Sequence, residues 1–176
     1  MTVKLEAQWI VGFVDGEGCF NLDVHLNQTC RWKVQIQPEF TVVQGEIDVQ
    51  VLHAMKEYFG CGSVSVNRKD SISTRMMYRV KNIDDLLNKI LPFFEKHQLK
   101  TKKNVEFKRF REIVIKIKEG YHKVNLKQFL EVVKLGKDLR VISFLEEGNP
   151  KDYRSEKLKA QLKSLTEECQ KNPDCK

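Results

Sequence analysis

A chain of 176 residues with 41% hydrophobic content can close a domain around a substantial core, and it holds no apolar run near the roughly 20 residues that cross a membrane. Its 31 basic residues against 24 acidic ones leave a net charge of +7, which favours a polyanionic partner. The surplus is concentrated, since nine Lys or Arg lie between Lys96 and Lys118 against only Glu106 and Glu112. Cys19, Cys30, Cys61, Cys169 and Cys175 are scattered without a C-x-x-C pair, and His25, His53, His97 and His122 are equally dispersed. This argues against a disulfide scaffold and a zinc site, and reduced thiols in an intracellular compartment are expected.

A first helix is predicted over residues 4–14, with Leu5, Trp9, Gly12 and Phe13 on one face and with Asp15-Gly16 and Gly18 expected to break it. From Phe20 the period becomes two. Phe20, Leu22, Val24 and Leu26 point inward and Asn21, Asp23, His25 and Asn27 outward, as in a half-buried strand. A second strand sets Trp32, Val34, Ile36, Phe40 and Val42 inward and Lys33, Gln35, Gln37, Glu39 and Thr41 outward. Pro38, in the inward register, argues for a bulge or an edge position. A helix over residues 47–59 ends at Gly60, and strands over 63–68 and 75–81 are joined by Lys69-Asp70-Ser71. Helices over 84–96, 101–118 and 126–135 follow, with a further helix expected through Phe144. Gly148-Asn149-Pro150 reads as a hinge between a core, residues 1–148, and a tail, residues 149–176, where Leu158, Leu162, Leu165 and Cys169 form an amphipathic helix. The order α-β-β-α-β-β-α-α is an α+β plan with one antiparallel sheet.

The run Ile10-Val11-Gly12-Phe13-Val14-Asp15-Gly16-Glu17-Gly18 joins an apolar helix to an acidic, glycine-rich turn and leads straight into a strand. It resembles the signature of the LAGLIDADG homing endonucleases. The likeness extends from Leu5 to Leu135 and includes Leu91-Pro92-Phe93 and Phe129-Leu130-Glu131-Val132. It implies that family's αββαββα core with an antiparallel, saddle-shaped sheet, extended here by C-terminal helices. One signature per chain implies a homodimer packed through Trp9, Gly12 and Phe13, where Gly12 allows close approach, and hence a pseudo-palindromic target.

By the same resemblance, the expected activity is a double-strand break in a long DNA target by metal-dependent phosphodiester hydrolysis. Glu17 is the implied metal ligand with the Gly16 carbonyl as a second, for Mg2+ or a substituting Mn2+; Asp is commoner than Glu at this position. Hard oxygen donors suit such an ion. Gln44 matches the position that orients water, and Lys100 the lysine that stabilises developing charge. Asp15 is read instead as a helix-ending carboxylate bonding nearby backbone, and Asp48 stands where a basic residue often contributes. Candidate base readers are Asn21, Asp23, His25, Lys33, Gln35, Gln37, Glu39, Thr41, Ser65, Asn67, Arg75, Met77, Arg79 and Lys81, since a strand ribbon fits the major groove. A polar outer face alone is what any half-buried strand shows; the mixture of amides and arginines over four strands is what favours base recognition. Lys102, Lys103, Lys108, Arg109 and Arg111 suit phosphates. Trp9, Trp32 and Cys19 are expected to be packed, and the tail from Lys151, with Arg154, either clamps DNA or caps the fold. Neither a membrane nor a small-molecule cofactor is expected. With no recognisable presequence at the N-terminus, an origin inside a chloroplast or mitochondrion is implied.

Two other readings compete: the same fold acting as an RNA maturase, and a plain basic binding module with a fortuitous glycine-rich turn. Glu17 keeps the acidic charge that an inactive descendant has no need of, which favours the nuclease.

Overall fold

In a computed structural model, which describes residues 3–137, 139 and 153–171, the first helix, α1, covers Ala7–Glu17. Asp15 and Gly16 do not break it. Gly16 is taken into the last turn, and the helix stops where Gly18 assumes extended backbone with φ −75°. Gly18 is thus required by packing: a Cβ there would stand 2.5 Å from Val14 Cγ1 and 2.8 Å from the Val14 carbonyl oxygen. The face that α1 buries is Ile10, Val11 and Val14. Trp9, stacked on Phe13 at 4.7 Å between ring centres, is 44% exposed, so it is not packed away within one chain.

Strands β1 (Gly18–Leu26), β2 (Val34–Gly45), β3 (Ser63–Lys69) and β4 (Thr74–Val80) form one sheet in the order β1-β2-β4-β3. β2 lies between β1 and β4, but β4 pairs with it only from Phe40 onward, so at Pro38 the β4 side is open, which is the edge position expected. The missing N–H of Pro38 costs no bond to that strand. A bulge lies in β3, between Val66 and Arg68. Trp32 and Lys33 fall in the turn before β2. Lys33 has φ 55°; its carbonyl accepts from the Asn27 N–H and its own N–H donates to the Cys30 carbonyl.

A 3-10 turn, Glu46–Asp48, leads into α2 (Val49–Phe59), which ends on Gly60 at φ 59°, a left-handed conformation open to glycine without penalty. Helix α3 is assembled from Ile83–Asp85, a π-helical stretch Leu86–Ile90 and Leu91–Lys96. Asn82 caps it, accepting from the N–H groups of Asp84 and Asp85 at 2.9 and 3.1 Å. Helices α4 (Lys103–Lys118), α5 (Tyr121–Val124), α6 (Leu126–Lys137) and α7 (Tyr153–Lys171) complete the described chain. The expected helix through Phe144, the hinge at 148–150, and Cys175 lie outside the described residues.

The chain divides into two compact units, Met1–Phe20 with Glu39–Arg111, and Asn21–Pro38 with Glu112–Lys176. Phe20 is the hub of the first, its ring 5.2, 5.5, 5.4 and 5.3 Å from those of Phe40, Phe94, Phe107 and Phe110. Truncating so enclosed an aromatic costs about 3–5 kcal/mol. In the second unit Leu22, Phe129, Val132, Leu158 and Leu165 are buried, and a Cβ on Gly136 would come within 2.6 Å of Leu22 Cδ2. Among the described residues no helix is long and apolar enough to cross a membrane, and no disulfide joins Cys19, Cys30, Cys61 or Cys169.

Candidate active site and nucleic-acid interface

Two carboxylates share the last turn of α1 in different settings. Glu17, the final helical residue, is exposed, as is Gly16 beside it. Asp15 is engaged: its Oδ2 accepts from the Lys100 N–H at 2.7 Å, and its Oδ1 from the Thr101 N–H at 3.2 Å and the Thr101 hydroxyl at 2.8 Å. A structural role was expected of Asp15, but it neither ends the helix nor bonds nearby backbone; it ties down a loop 85 residues away. The Lys100 side chain is exposed. Gln44 pairs with Met76 near the end of β2, on the same face as Phe40 and Val42, and is half-buried. Glu17, Gln44 and Lys100 all belong to the first compact unit.

One basic residue corrects the sequence reading. Lys103, expected on phosphate, is 7% exposed; its Nζ donates to the Gly18 carbonyl at 2.6 Å and lies 3.7 Å from the Glu106 carboxylate. Its charge sits at the C-terminal end of α1, where a helix dipole favours a cation. Arg111 is exposed and ion-paired with Glu95, and Lys102, Lys108 and Arg109 are exposed as well. Asp48, where a base was expected, occupies the N-cap position of α2 without a side-chain capping bond, its charge at the positive end of that helix.

The donors at the end of α1 fit a hard divalent cation. They comprise an exposed carboxylate and main-chain carbonyls of a last turn, at the negative end of a helix. Beyond its chain neighbours and its own helix backbone, no atom among the described residues stands within 4 Å of where a Gly16 Cβ would be. Among the described residues no three His, Cys, Asp or Glu gather into a metal site, so a cation at Glu17 would draw further ligands from elsewhere.

On the sheet, the pairs Thr41↔Arg79, Val43↔Met77 and Gly45↔Arg75 define one face, extended onto β3 by Ser63↔Arg79 and Ser65↔Met77. Thr41, Ser65, Arg75, Met77 and Arg79 share that face, as alternation implies. Val43 and Ser63 share it too and were missed; Val43 is apolar, so a search for polar readers passes over it although alternation from Thr41 sets its direction. Thr41 at 7% and Asn21 at 9% exposure are packed among neighbours rather than presented outward. Asn67 is the extra residue of the β3 bulge, out of step with Ser65. Glu39 lies 3.8 Å from Arg79 and 3.6 Å from Lys81. In the second unit Asp23 and His25 approach to 3.3 Å, Gln35 Oε1 accepts from Asn27 Nδ2 at 2.6 Å, and Gln37 Nε2 donates to the Pro38 carbonyl at 3.3 Å. Lys33, in its turn, is exposed.

A helix that closes on an acidic, glycine-rich turn, followed by a four-stranded sheet with a polar register, defines the class of LAGLIDADG proteins. The chain matches the family described as LAGLIDADG endonuclease over residues 10–114, and it belongs to that family. It is similar to the crystal structure of a homing endonuclease, I-TnaI, at 37% identity and TM-score 0.75, over 93% of this chain and 99% of that one. I-SmaMI, solved bound to cleaved DNA, is 25% identical with TM-score 0.71, over 80% of this chain and 46% of that one. A Mycosarcoma maydis protein named "Probable intron-encoded DNA endonuclease 1" is 39% identical over 95 residues, 54% of this chain. The chain spans 32%, 26% and 29% of the length of three curated relatives, this one included.

Proposed function

We propose that this chain is a site-specific homing endonuclease, acting as a homodimer that makes a double-strand break in a long pseudo-palindromic DNA target by metal-dependent phosphodiester hydrolysis. The observation that carries the reading is the exposed Glu17 carboxylate ending the signature helix, with the Lys100 loop tied to that same turn by Asp15. We assign this chemistry to residues 1–148 and treat 149–176 as a tail.

Glu17 and the Gly16 carbonyl hold a divalent cation, Mg2+ or a substituting Mn2+. When bound, the ion supplies Lewis-acid activation of water and neutralises charge at phosphate. The Gln44 amide, both donor and acceptor, orients the attacking water. The Lys100 ammonium stabilises the negative charge that builds on the phosphoryl oxygens. Lys102, Lys108 and Arg109 hold flanking phosphates and set the register of the duplex. Two copies meet through Trp9, Gly12 and Phe13, so each supplies one Glu17 and cuts one strand. Arg75, Arg79 and Ser65 read base edges, and the apolar Val43–Met77 pair suits a thymine methyl. Relatives named as intron-encoded agree with a gene carried in an organellar intron.

Cleavage of a randomised duplex library, with Mg2+ and with EDTA, by wild type and Glu17→Gln tests this. Metal-dependent double-strand cuts at a long two-fold site are expected, lost in Glu17→Gln while DNA binding persists. A wild type that binds intron RNA and cuts no DNA would overturn the reading in favour of a maturase.

A further inference from the structure

Helix α3 ends at Lys96 and α4 begins at Lys103. The loop between them is joined to the last turn of α1 along its second half. Leu99, 2% exposed, anchors it on the apolar side. Asp15 then takes the Lys100 N–H, the Thr101 N–H and the Thr101 hydroxyl. The Thr101 oxygen in turn accepts from the Lys103 N–H at 3.2 Å, and the Lys103 ammonium closes the connection on the Gly18 carbonyl. Residues 15–18 and 100–103 are therefore bonded at both ends, on either side of Glu17 and immediately behind Lys100.

We infer that Asp15 is a positioning residue, which through the Lys100 and Thr101 backbone fixes where the Lys100 ammonium stands relative to Glu17. The inference rests on the nuclease reading. A lysine stem is flexible and costs about 2 kcal/mol of rotamer freedom to hold still, so its placement depends on a rigid Cα. Three converging donors need an acceptor-only group with two oxygens, which a carboxylate supplies. Asn has one oxygen and would turn an NH2 toward one of those N–H groups. Both signature acids are thereby required for different reasons: Glu17 is presented outward, and Asp15 registers the loop that serves it.

Three measurements on Asp15→Asn, with Thr101→Val as a milder variant, decide the matter. The first is amide hydrogen exchange at Lys100 and Thr101, which is independent of any activity; protection should fall in Asp15→Asn, and unchanged protection would overturn the connection itself. The second is single-turnover cleavage beside duplex affinity. The rate should fall about 10- to 100-fold with affinity unchanged, and a loss confined to affinity would overturn the positioning role. In the third, Asp15→Asn combined with Lys100→Ala should cut no more slowly than Lys100→Ala alone, because both remove one function. Additive losses would make Asp15 merely structural. A wild type that cuts nothing removes the nuclease reading and the positioning role together, while the exchange result still reports whether the connection exists.

Discussion

The ammonium of Lys103 donates a 2.6 Å hydrogen bond to the carbonyl of Gly18, from a residue that is only 7% exposed. A charge this buried is tolerable because the end of α1 and the Glu106 carboxylate, 3.7 Å away, both face it. Lys103→Met keeps the stem but leaves the Gly18 carbonyl and Glu106 without their cation. The expected loss is about 1.5–3 kcal/mol, the usual worth of a hydrogen bond to a charged group. It would be read as a lowered urea midpoint, and an unchanged midpoint would show that the bond contributes nothing.

Lys108 should behave in the opposite way. It is exposed on the same helix as Lys103, and surface substitutions of this kind stay within about 0.5 kcal/mol. Lys108→Met should leave the urea midpoint alone and flatten the plot of log affinity against log salt by about one, the signature of one lost phosphate contact. An unaltered slope would place this residue away from the duplex.

Two signature glycines should respond with opposite sign. Gly18→Ala drives a Cβ to within 2.5 Å of Val14 Cγ1 and 2.8 Å of the Val14 carbonyl oxygen. A carbonyl in a helix cannot swing aside, so a loss of about 1–3 kcal/mol is expected. A Cβ on Gly12, inside α1, would meet no atom within 4 Å among the described residues beyond its chain neighbours and its own helix backbone. Gly12→Ala should raise the stability of a single chain by roughly 1 kcal/mol through helix propensity. If two α1 helices pack on this face, the same methyl weakens their association. Melting of the dilute chain, paired with sedimentation equilibrium, separates these effects, and undiminished self-association would put the dimer contact elsewhere.

What the sequence made legible is local. The period-two strands, the stop at Gly60 and the amphipathic Leu158–Leu165 helix each follow from residues close together in the chain, and the signature run marked Glu17. The misses at Asp15, Lys103 and Asn67 depend on partners that the neighbouring residues do not reveal. Asp15 reads as a helix terminator until the loop at Lys100 is beside it. Lys103 stands in a basic run where composition cannot separate a buried amine from a solvated one. Asn67 needs the β3 bulge before its direction is defined.

His122 provides a pH-dependent test of the second unit. Burial, with a smaller contribution from the charge of Lys123, pushes its pKa below the ordinary 6.5, and its Nδ1 is enclosed with no hydrogen-bond partner among the described residues. The folded chain thus resists a proton that the unfolded chain accepts, so stability is full above 6.5 and falls as the pH drops through that value toward the lower folded pKa. Asp70 does not confuse the reading. The Ser73 N–H, Arg68 and the Ile72 N–H hold its carboxyl down at about 2, so it stays ionised throughout. Urea unfolding at about pH 7.5 and about pH 5.5 should show wild type losing stability on acidification. His122→Gln, which cannot titrate, should lose distinctly less. Equal losses in the two proteins would assign the acid sensitivity to another group and show that the fold does not hold His122 back from the proton.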